Sequence, residues 1–472
     1  MVKKIYLETS NKDKIDHVLG KFLDHDCYDT LLTEDADVYE PLTPLQIANG
    51  ETHSEKNILC KFRKNVFPKE MTDAAYEYLR NGAVMTDNRG LAAGIERDTA
   101  YQKMPDGQGG RLWVTEREKA IIEYVIAESP KGVDGNDQLE RIYNDTPNKP
   151  LSNRGTGVDL WGTKERVKGG SCWLVDKITE FSFDDWYNKL KGMNKQQRKD
   201  AGLLIFHDFI SGSTYANGVR SGVAGFFDRY PRIPFCRETG WTAQHKDKFV
   251  KAIPLFEAAN EVYKKELPQR WQGQYEASLD LEEDWRIGKT NYTTVTINRD
   301  FRTAAHRDVG DLCESGDEVA NPRGFSNLFV LDNGKKYDGF YLCFPEFRVA
   351  ADIRAGDLIM MNAHRIHSNS PSFDYEEGFE RMSVVLYFRD SMLECGTKKY
   401  EDARRNFVYM RRDDPNHPGH KGRNGWNGIS PGMWDTEEWG LYLKNNGLHA
   451  EGDEVLNKLG LGEQTNTLES FF

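Results

Sequence analysis

Between residues 291 and 391 the apolar positions come in short bursts: TTVTIN, NLFVL, GFYLCF, DLIMM and SVVLYF. Each burst is rich in β-branched and aromatic residues, and turns containing Gly, Asp or Asn separate them. That spacing predicts an antiparallel sandwich or barrel. Elsewhere the apolar residues fall at helical spacing. PKEMTDAAYEYLRNG (68–82) has a proline near its start and ends in Asn-Gly, and EREKAIIEYVIAESP (116–130) stops before a proline. SFDDWYNKLKGM and KDKFVKAIPLFEAANEVYKKEL, within 172–265, also read as helices among short strands. Residues 1–65 are polar with brief apolar patches and read as an accessory region. The turn-rich stretch 132–157 is the best internal boundary.

A length of 472 residues suits two or three domains at about 150 residues each, or one large domain with extensions. No apolar run approaches the roughly 18 residues of a membrane span. The charged N-terminus, MVKKIYLETSNKDK, has no apolar core of the kind that drives secretion. Seven scattered cysteines without a CxxC pair argue against a disulfide framework and a structural zinc site. A reducing compartment, cytoplasmic or nuclear, is the expectation. The net charge of −12 excludes a global field for nucleic acid, so a DNA-binding surface would have to be local. The stretch 398–423 is the candidate, with eight Lys and Arg residues against four acids.

The chemistry concentrates at strand ends. TAAHRDVGD (303–311) follows the strand-like NYTTVTINRDF, and on extended chain His306 and Asp308 face the same side. Such a tripeptide is weak alone. His245-Lys246-Asp247 is a second copy, but it opens a predicted helix, where the aspartate serves as a first-turn carboxylate. The copy at His306 has company: RAGDLIMMNAHRIHSNSP (354–371) ends in His364 and His367, and RMSVVLYFR (381–389) begins with an arginine. Two imidazoles and one carboxylate on one face of a metal form the facial triad of non-haem Fe(II) oxygenases, with positions left open. His367, just before the SNSP turn, is preferred to His364, which would line a substrate pocket or serve structurally. Arg381 offers a planar fork for a carboxylate, and Ser383, two residues on, a hydroxyl facing the same way. MPDGQGGRLW (104–113) lacks the Lys-Ser/Thr ending of a phosphate loop. The Trp- and Gly-rich tail 424–443 reads as core packing, with base stacking as the alternative.

These segments, together with GVRSGVAGFFDR (218–229) and FCRETGWT (235–242), resemble the TET/JBP family of Fe(II)/2-oxoglutarate dioxygenases over roughly 215–395, most of all its phage and microbial members. The resemblance implies an α+β protein with a double-stranded β-helix (jelly-roll) core at about 290–391, inside a dioxygenase domain spanning 151–395. A mixed or helical accessory region (1–150) and a C-terminal extension (396–472) with a DNA contact would flank it. It implies iron on His306, Asp308 and His367, and 2-oxoglutarate on Arg381, with Ser383 and Asn298 beside it and O₂ as the second cosubstrate. "HSN" stands where the family pattern has His-Gly-Asn or His-Gly-Val, and Ser368 would narrow the pocket. The implied substrate is the methyl group of 5-methylcytosine or thymine in DNA, on a flipped or unpaired base lined by Arg220, Arg237, Trp241, Arg302, Asn298 and His364. The alternatives are the same chemistry on a metabolite or protein side chain, and a catalytically inert binding module.

Overall fold

The computed structural model describes residues 2–8, 15, 18–86, 89–94, 219–314, 322–418, 420 and 427–461. The helices expected at 116–130 and in SFDDWYNKLKGM, the boundary at 132–157 and the stretch 104–113 fall outside the described residues.

Strands β1 (Lys3–Tyr6), β2 (Thr30–Leu32), β3 (Ala36–Tyr39) and β4 (Ile58–Arg63) come from the N-terminal stretch, and β5 (Val84–Thr86) follows. Next come β6 (Val219–Phe227), β7 (Arg237–Glu238) and β8 (Thr294–Arg299). The remainder are β9 (Ser326–Asp332), β10 (Tyr337–Gly339), β11 (Leu342–Phe344), β12 (Val349–Ala351), β13 (Leu358–Met361), β14 (Ser368–Asn369), β15 (Ser372–Tyr375) and β16 (Arg381–Tyr387). A large sheet runs β1-β3-β4-β13-β9-β16-β8-β6-β5, with β7 paired to β6. A small sheet runs β14-β11-β12-β2, and β10 pairs with β15.

Alternation along the strands builds two cores from the large sheet. On β16, Met382, Val384 and Leu386 join one buried cluster, and Val385 and Tyr387 the other. The helices include α1 (Pro44–Ala48), α2 (Lys69–Leu79), α3 (Gly240–Gln244), α4 (Lys246–Glu266) and α5 (Pro268–Leu279), and the first cluster meets α2, α4 and α5. The second meets Leu342 and Phe344 of β11 and Val349 and Ala351 of β12. The molecule is therefore layered: helices, large sheet, small sheet. Arg381 and Ser383 share the face of Val385 and Tyr387, so they look into the space between the two sheets. Gly324, at φ +73, lets the chain return beside the segment that follows Asp308; a Cβ there would lie 2.0 Å from the Leu312 carbonyl oxygen.

Three expectations change. First, residues 1–65 are not peripheral: β4 pairs with β13, and β2 lies parallel to β12, so both sheets need this stretch. Second, Cys236 and Cys395 form a disulfide across 159 residues, a pairing that only tertiary structure creates. Third, part of the basic stretch is spent internally. It forms α6 (Lys398–Asp413), which packs with α7 (Glu437–Asn445) through Phe407, Trp439 and Leu443. Arg404 is buried, donates to the Pro234 carbonyl and lies 3.7 Å over the Trp434 ring. Arg411 is buried on Gly428, Ser430 and Glu438. Arg405 pairs with Asp402, and Arg412 with Asp413. The tail tryptophans Trp434 and Trp439 pack in this cluster, as expected. Among the described residues, no helix is long and apolar enough to cross a membrane.

Candidate metal centre

The segment carrying His306 is not a regular strand; it lies along the free side of β14. His306 and His367 exchange both backbone hydrogen bonds, at 3.0 and 2.9 Å, and Asn369 donates to the Thr303 carbonyl. Asp308 donates its N–H to the Ala363 carbonyl at 3.0 Å. An antiparallel pair of this kind holds two side chains directly opposite each other. The imidazole centroids are accordingly 4.3 Å apart.

The donor atoms of His306, Asp308 and His367 all lie within 4.8 Å of one another. Each imidazole is oriented by its own backbone: Nδ1 of His306 meets the Ala304 carbonyl at 2.8 Å, and Nδ1 of His367 the Arg365 carbonyl at 2.9 Å. A carbonyl can only accept, so Nδ1 carries the hydrogen and Nε2 keeps its lone pair, as a metal ligand requires. Both Nε2 atoms sit 3.6 Å from an Asp308 oxygen, too far for a good hydrogen bond and suited to a shared ion between them. Burial, reinforced by His367, pushes the His306 imidazole down to about 4, so it stays neutral. Burial also pulls on His367, but the Asp308 carboxylate more than offsets it and raises that imidazole. Burial opposes ionisation of Asp308, yet the two histidines and Arg89 hold its carboxyl down at about 2.

Arg381 is 3% exposed. Its Nε finds no hydrogen-bond partner, and no carboxylate among the described residues lies within ion-pair reach of its guanidinium. Such a buried cation calls for an anion. Ser383 is buried on the same face, and its register partner across β8–β16 is Asn298. The Oδ1 of Asn298 accepts from the Ser221 hydroxyl, which leaves the amide NH₂ as its remaining donor.

The expected substrate residues scatter. The Nε2 of His364 meets the Asp311 carbonyl at 2.9 Å, a structural contact. Arg302 is buried and ties the N-terminal stretch to β14, donating to the Leu23 and Asn369 carbonyls. Arg220 is buried 3.7 Å from Asp300. Arg237 donates to the Asp228 carbonyl and packs over the rings of Phe227 and Tyr230. Trp241, on α3 (Gly240–Gln244), belongs to the helix-side core, on the other face of the sheet from Arg381. Its apolar bulk, not base stacking, explains its place. The discounted His245 does precede α4, with Asp247 in the first turn.

The structure adds residues the sequence did not single out. Arg89 is desolvated, and its charge acts on Asp308 and Tyr387. Nothing in the local sequence marks it. Asp311, three residues after Asp308, is buried and takes the Ser326 hydroxyl on Oδ2. Burial, then the Asp308 charge, pushes its carboxyl up to about 8. Flanking arginines brace the ligand segments: Arg307 donates to Glu346 at 3.2 Å, and Arg365 is gripped by Glu40.

Residues 222–390 match the family model described as the oxygenase domain of the 2OGFeDO superfamily (Tet_JBP). Thymine dioxygenase JBP1 of Leishmania braziliensis is 32% identical over 198 residues, covering 41% of this chain and 22% of its own. Its counterpart in Crithidia fasciculata is 32% identical over 204 residues, covering 42% of this chain and 23% of its own. The chain thus spans about a fifth of the length of the curated relatives it matches. A solved structure, NgTET1 in complex with 5mC DNA, covers 50% of this chain and 78% of its own at 12% identity. Its TM-score of 0.29 is too low for that superposition to carry weight.

Proposed function

We propose, from the match of residues 222–390 to the Tet_JBP oxygenase-domain model, that the protein is an Fe(II)/2-oxoglutarate-dependent dioxygenase. It hydroxylates the methyl group of a 5-methylpyrimidine, 5-methylcytosine or thymine, in DNA. One observation carries the reading: His306, Asp308 and His367 converge within 4.8 Å with both Nε2 atoms directed at the same carboxylate. The relatives named thymine dioxygenases supply the substrate class. The two facing sheets support a jelly-roll core, with the described N-terminal strands as part of the dioxygenase unit and 396–472 as its C-terminal extension. With a DNA substrate, the location we propose is the cytoplasm or nucleus.

The residues fit the cofactors that this reading implies. Two neutral imidazoles and a carboxylate are the donor set for Fe(II), and the unpartnered Arg381 Nε fits an anionic cosubstrate. When bound, Fe(II) with 2-oxoglutarate and O₂ supplies the oxidant that converts methyl to hydroxymethyl, releasing succinate and CO₂. His306 and His367 hold their Nε2 lone pairs toward the metal, because the Ala304 and Arg365 carbonyls fix their Nδ1 hydrogens. Asp308 contributes the negative charge that offsets the cation. Arg381 grips the far carboxylate of the 2-oxo acid, with Ser383 as a further donor and Asn298 beside it. A base in a duplex cannot enter such a site, so it leaves the stack first.

A second reading keeps the chemistry and changes the substrate to a metabolite or a protein side chain. The net charge of −12 and the internally spent cations of α6 favour it. One experiment separates the two. The protein is incubated with ferrous iron, 2-oxoglutarate and DNA carrying either 5-methylcytosine or thymine alone, and nucleosides and succinate are measured by mass spectrometry. Hydroxymethylated base with matched succinate is expected. Succinate without base product would move the substrate elsewhere, and neither product would sink the reading.

A further inference from the structure

We propose that Tyr337 is a second anchor for the cosubstrate: its hydroxyl, beside the Arg381 guanidinium, donates a hydrogen bond to the far carboxylate of a 2-oxo dicarboxylic acid. This rests on the cosubstrate reading above. Tyr337 is 5% exposed, and its hydroxyl finds no hydrogen-bond partner among the described residues. A buried hydroxyl normally finds one. Everything else about the side chain is held in place. The ring stacks on Phe379 at 5.5 Å and meets Phe340 edge-on at 6.4 Å. The Arg354 guanidinium covers it at 4.4 Å and donates to its carbonyl at 2.8 Å. The ring is thus fixed, and the groups that act on its hydroxyl, the Arg354 and Arg381 guanidiniums, can only donate, so the O–H hydrogen itself has no acceptor.

Phe340 links this tyrosine to Arg381, whose guanidinium carbon lies 5.3 Å from the Phe340 ring centre. The tyrosine hydroxyl and the guanidinium act on each other electrostatically. The two nearby arginines differ in one respect. Arg354 is neutralised by Asp352 at 2.5 Å and Asp338 at 3.7 Å. Arg381 has no such partner. Asp300, the carboxylate near it, takes the Arg381 backbone N–H on Oδ1 and lies 3.7 Å from Arg220 on Oδ2. One buried, unneutralised cation beside a phenol whose O–H has no acceptor makes a cradle for a carboxylate: charge from the fork, and one more donor from the phenol. Burial raises the phenol's ionisation range, so it remains a donor at neutral pH.

The test uses Tyr337→Phe, which keeps the ring and removes only the oxygen. Binding of 2-oxoglutarate to the Mn(II)-loaded protein is measured by calorimetry. KM and kcat are measured by succinate or CO₂ release with 2-oxoglutarate and with 2-oxopentanoate, which lacks the far carboxylate. Loss of one hydrogen bond to a charged group should weaken 2-oxoglutarate about tenfold in both Kd and KM. The kcat and the KM for 2-oxopentanoate should not move. An unchanged Kd for 2-oxoglutarate overturns the proposal, and so does equal weakening of both acids, which would mean a general packing role. Arg381→Met is the control. If it weakens 2-oxoglutarate while Tyr337→Phe does not, only the tyrosine's role fails. If neither the wild type nor the variants bind the acid, the cosubstrate reading fails with it.

Discussion

At the residue scale, the candidate metal site is legible because its proposed ligands obey local rules. His306 and Asp308 lie two apart on extended chain, and His367 ends an apolar strand before a turn, so both orientations follow from neighbours in sequence. The choice of His367 over His364 agrees with the backbone pairing that sets His367 opposite His306, while His364 turns to the Asp311 carbonyl. The expected substrate arginines are different. Arg302 and Arg220 are charged side chains whose partners, Leu23 and Asp300, depend on how remote segments fold together, so composition could not separate ligand from clamp. Arg89 and Tyr337 were invisible for the same reason. Asp308→Ala is expected to lose Mn(II) binding, read by electron paramagnetic resonance of the free ion, and to lose all turnover, because two imidazoles alone leave the cation's charge unopposed. Retained stoichiometric binding would remove Asp308 from the centre.

At the element scale, long strands were readable and short ones were not. β8, β9, β13 and β16 each carry four or more residues with enough apolar content to announce themselves. β2, β12 and β14 have three residues or fewer, too few to show a period, although they form the sheet that faces Arg381. The start of β16 also depends on a contact with α2. Glu380 accepts from Arg80 at 2.7 and 2.6 Å and from the Tyr76 hydroxyl at 2.6 Å. Arg80, then Tyr76, holds the Glu380 carboxyl down at about 2. A depressed carboxylate stabilises the folded state above its unfolded pKa of about 4.3, and that stabilisation disappears as pH falls through the folded value. Glu380→Gln is therefore expected to cost about 1–2 kcal/mol in urea unfolding near neutral pH, after allowance for the exposed end of Arg80. The gap from wild type should shrink below pH ~4.3 and close toward pH 2. A gap independent of pH would mean that the ion pair does not act on stability.

At the scale of the whole molecule, the family match begins at residue 222, yet the sheets begin far earlier. β4 supplies Phe62 and Cys60, both at 0% exposure, to the core between the sheets, and its backbone satisfies β13. Glu40 grips Arg365, two residues before the proposed ligand His367, and Leu23 and Lys21 hold Arg302 and Ala305 in the segment leading to His306. A sequence reading that sorts by local pattern sees a polar, accessory stretch here, because its strands are brief and its contacts lie 200 or more residues away. Removing residues 1–65 should thus do more than trim an appendage. It would bare the β13 edge and the apolar face of Ile359 and Met361, a surface prone to aggregate. It would also free the backbone that orients both histidines. The shortened chain is expected to be insoluble, or, if rescued by a solubilising fusion, to lose near-ultraviolet circular dichroism and Mn(II) binding together. A truncated protein that stays monomeric, keeps its aromatic dichroism and binds the metal as tightly as the full chain would show that β1, β3 and β4 of the large sheet and β2 of the small one are dispensable, and that residues after 65 build the site on their own.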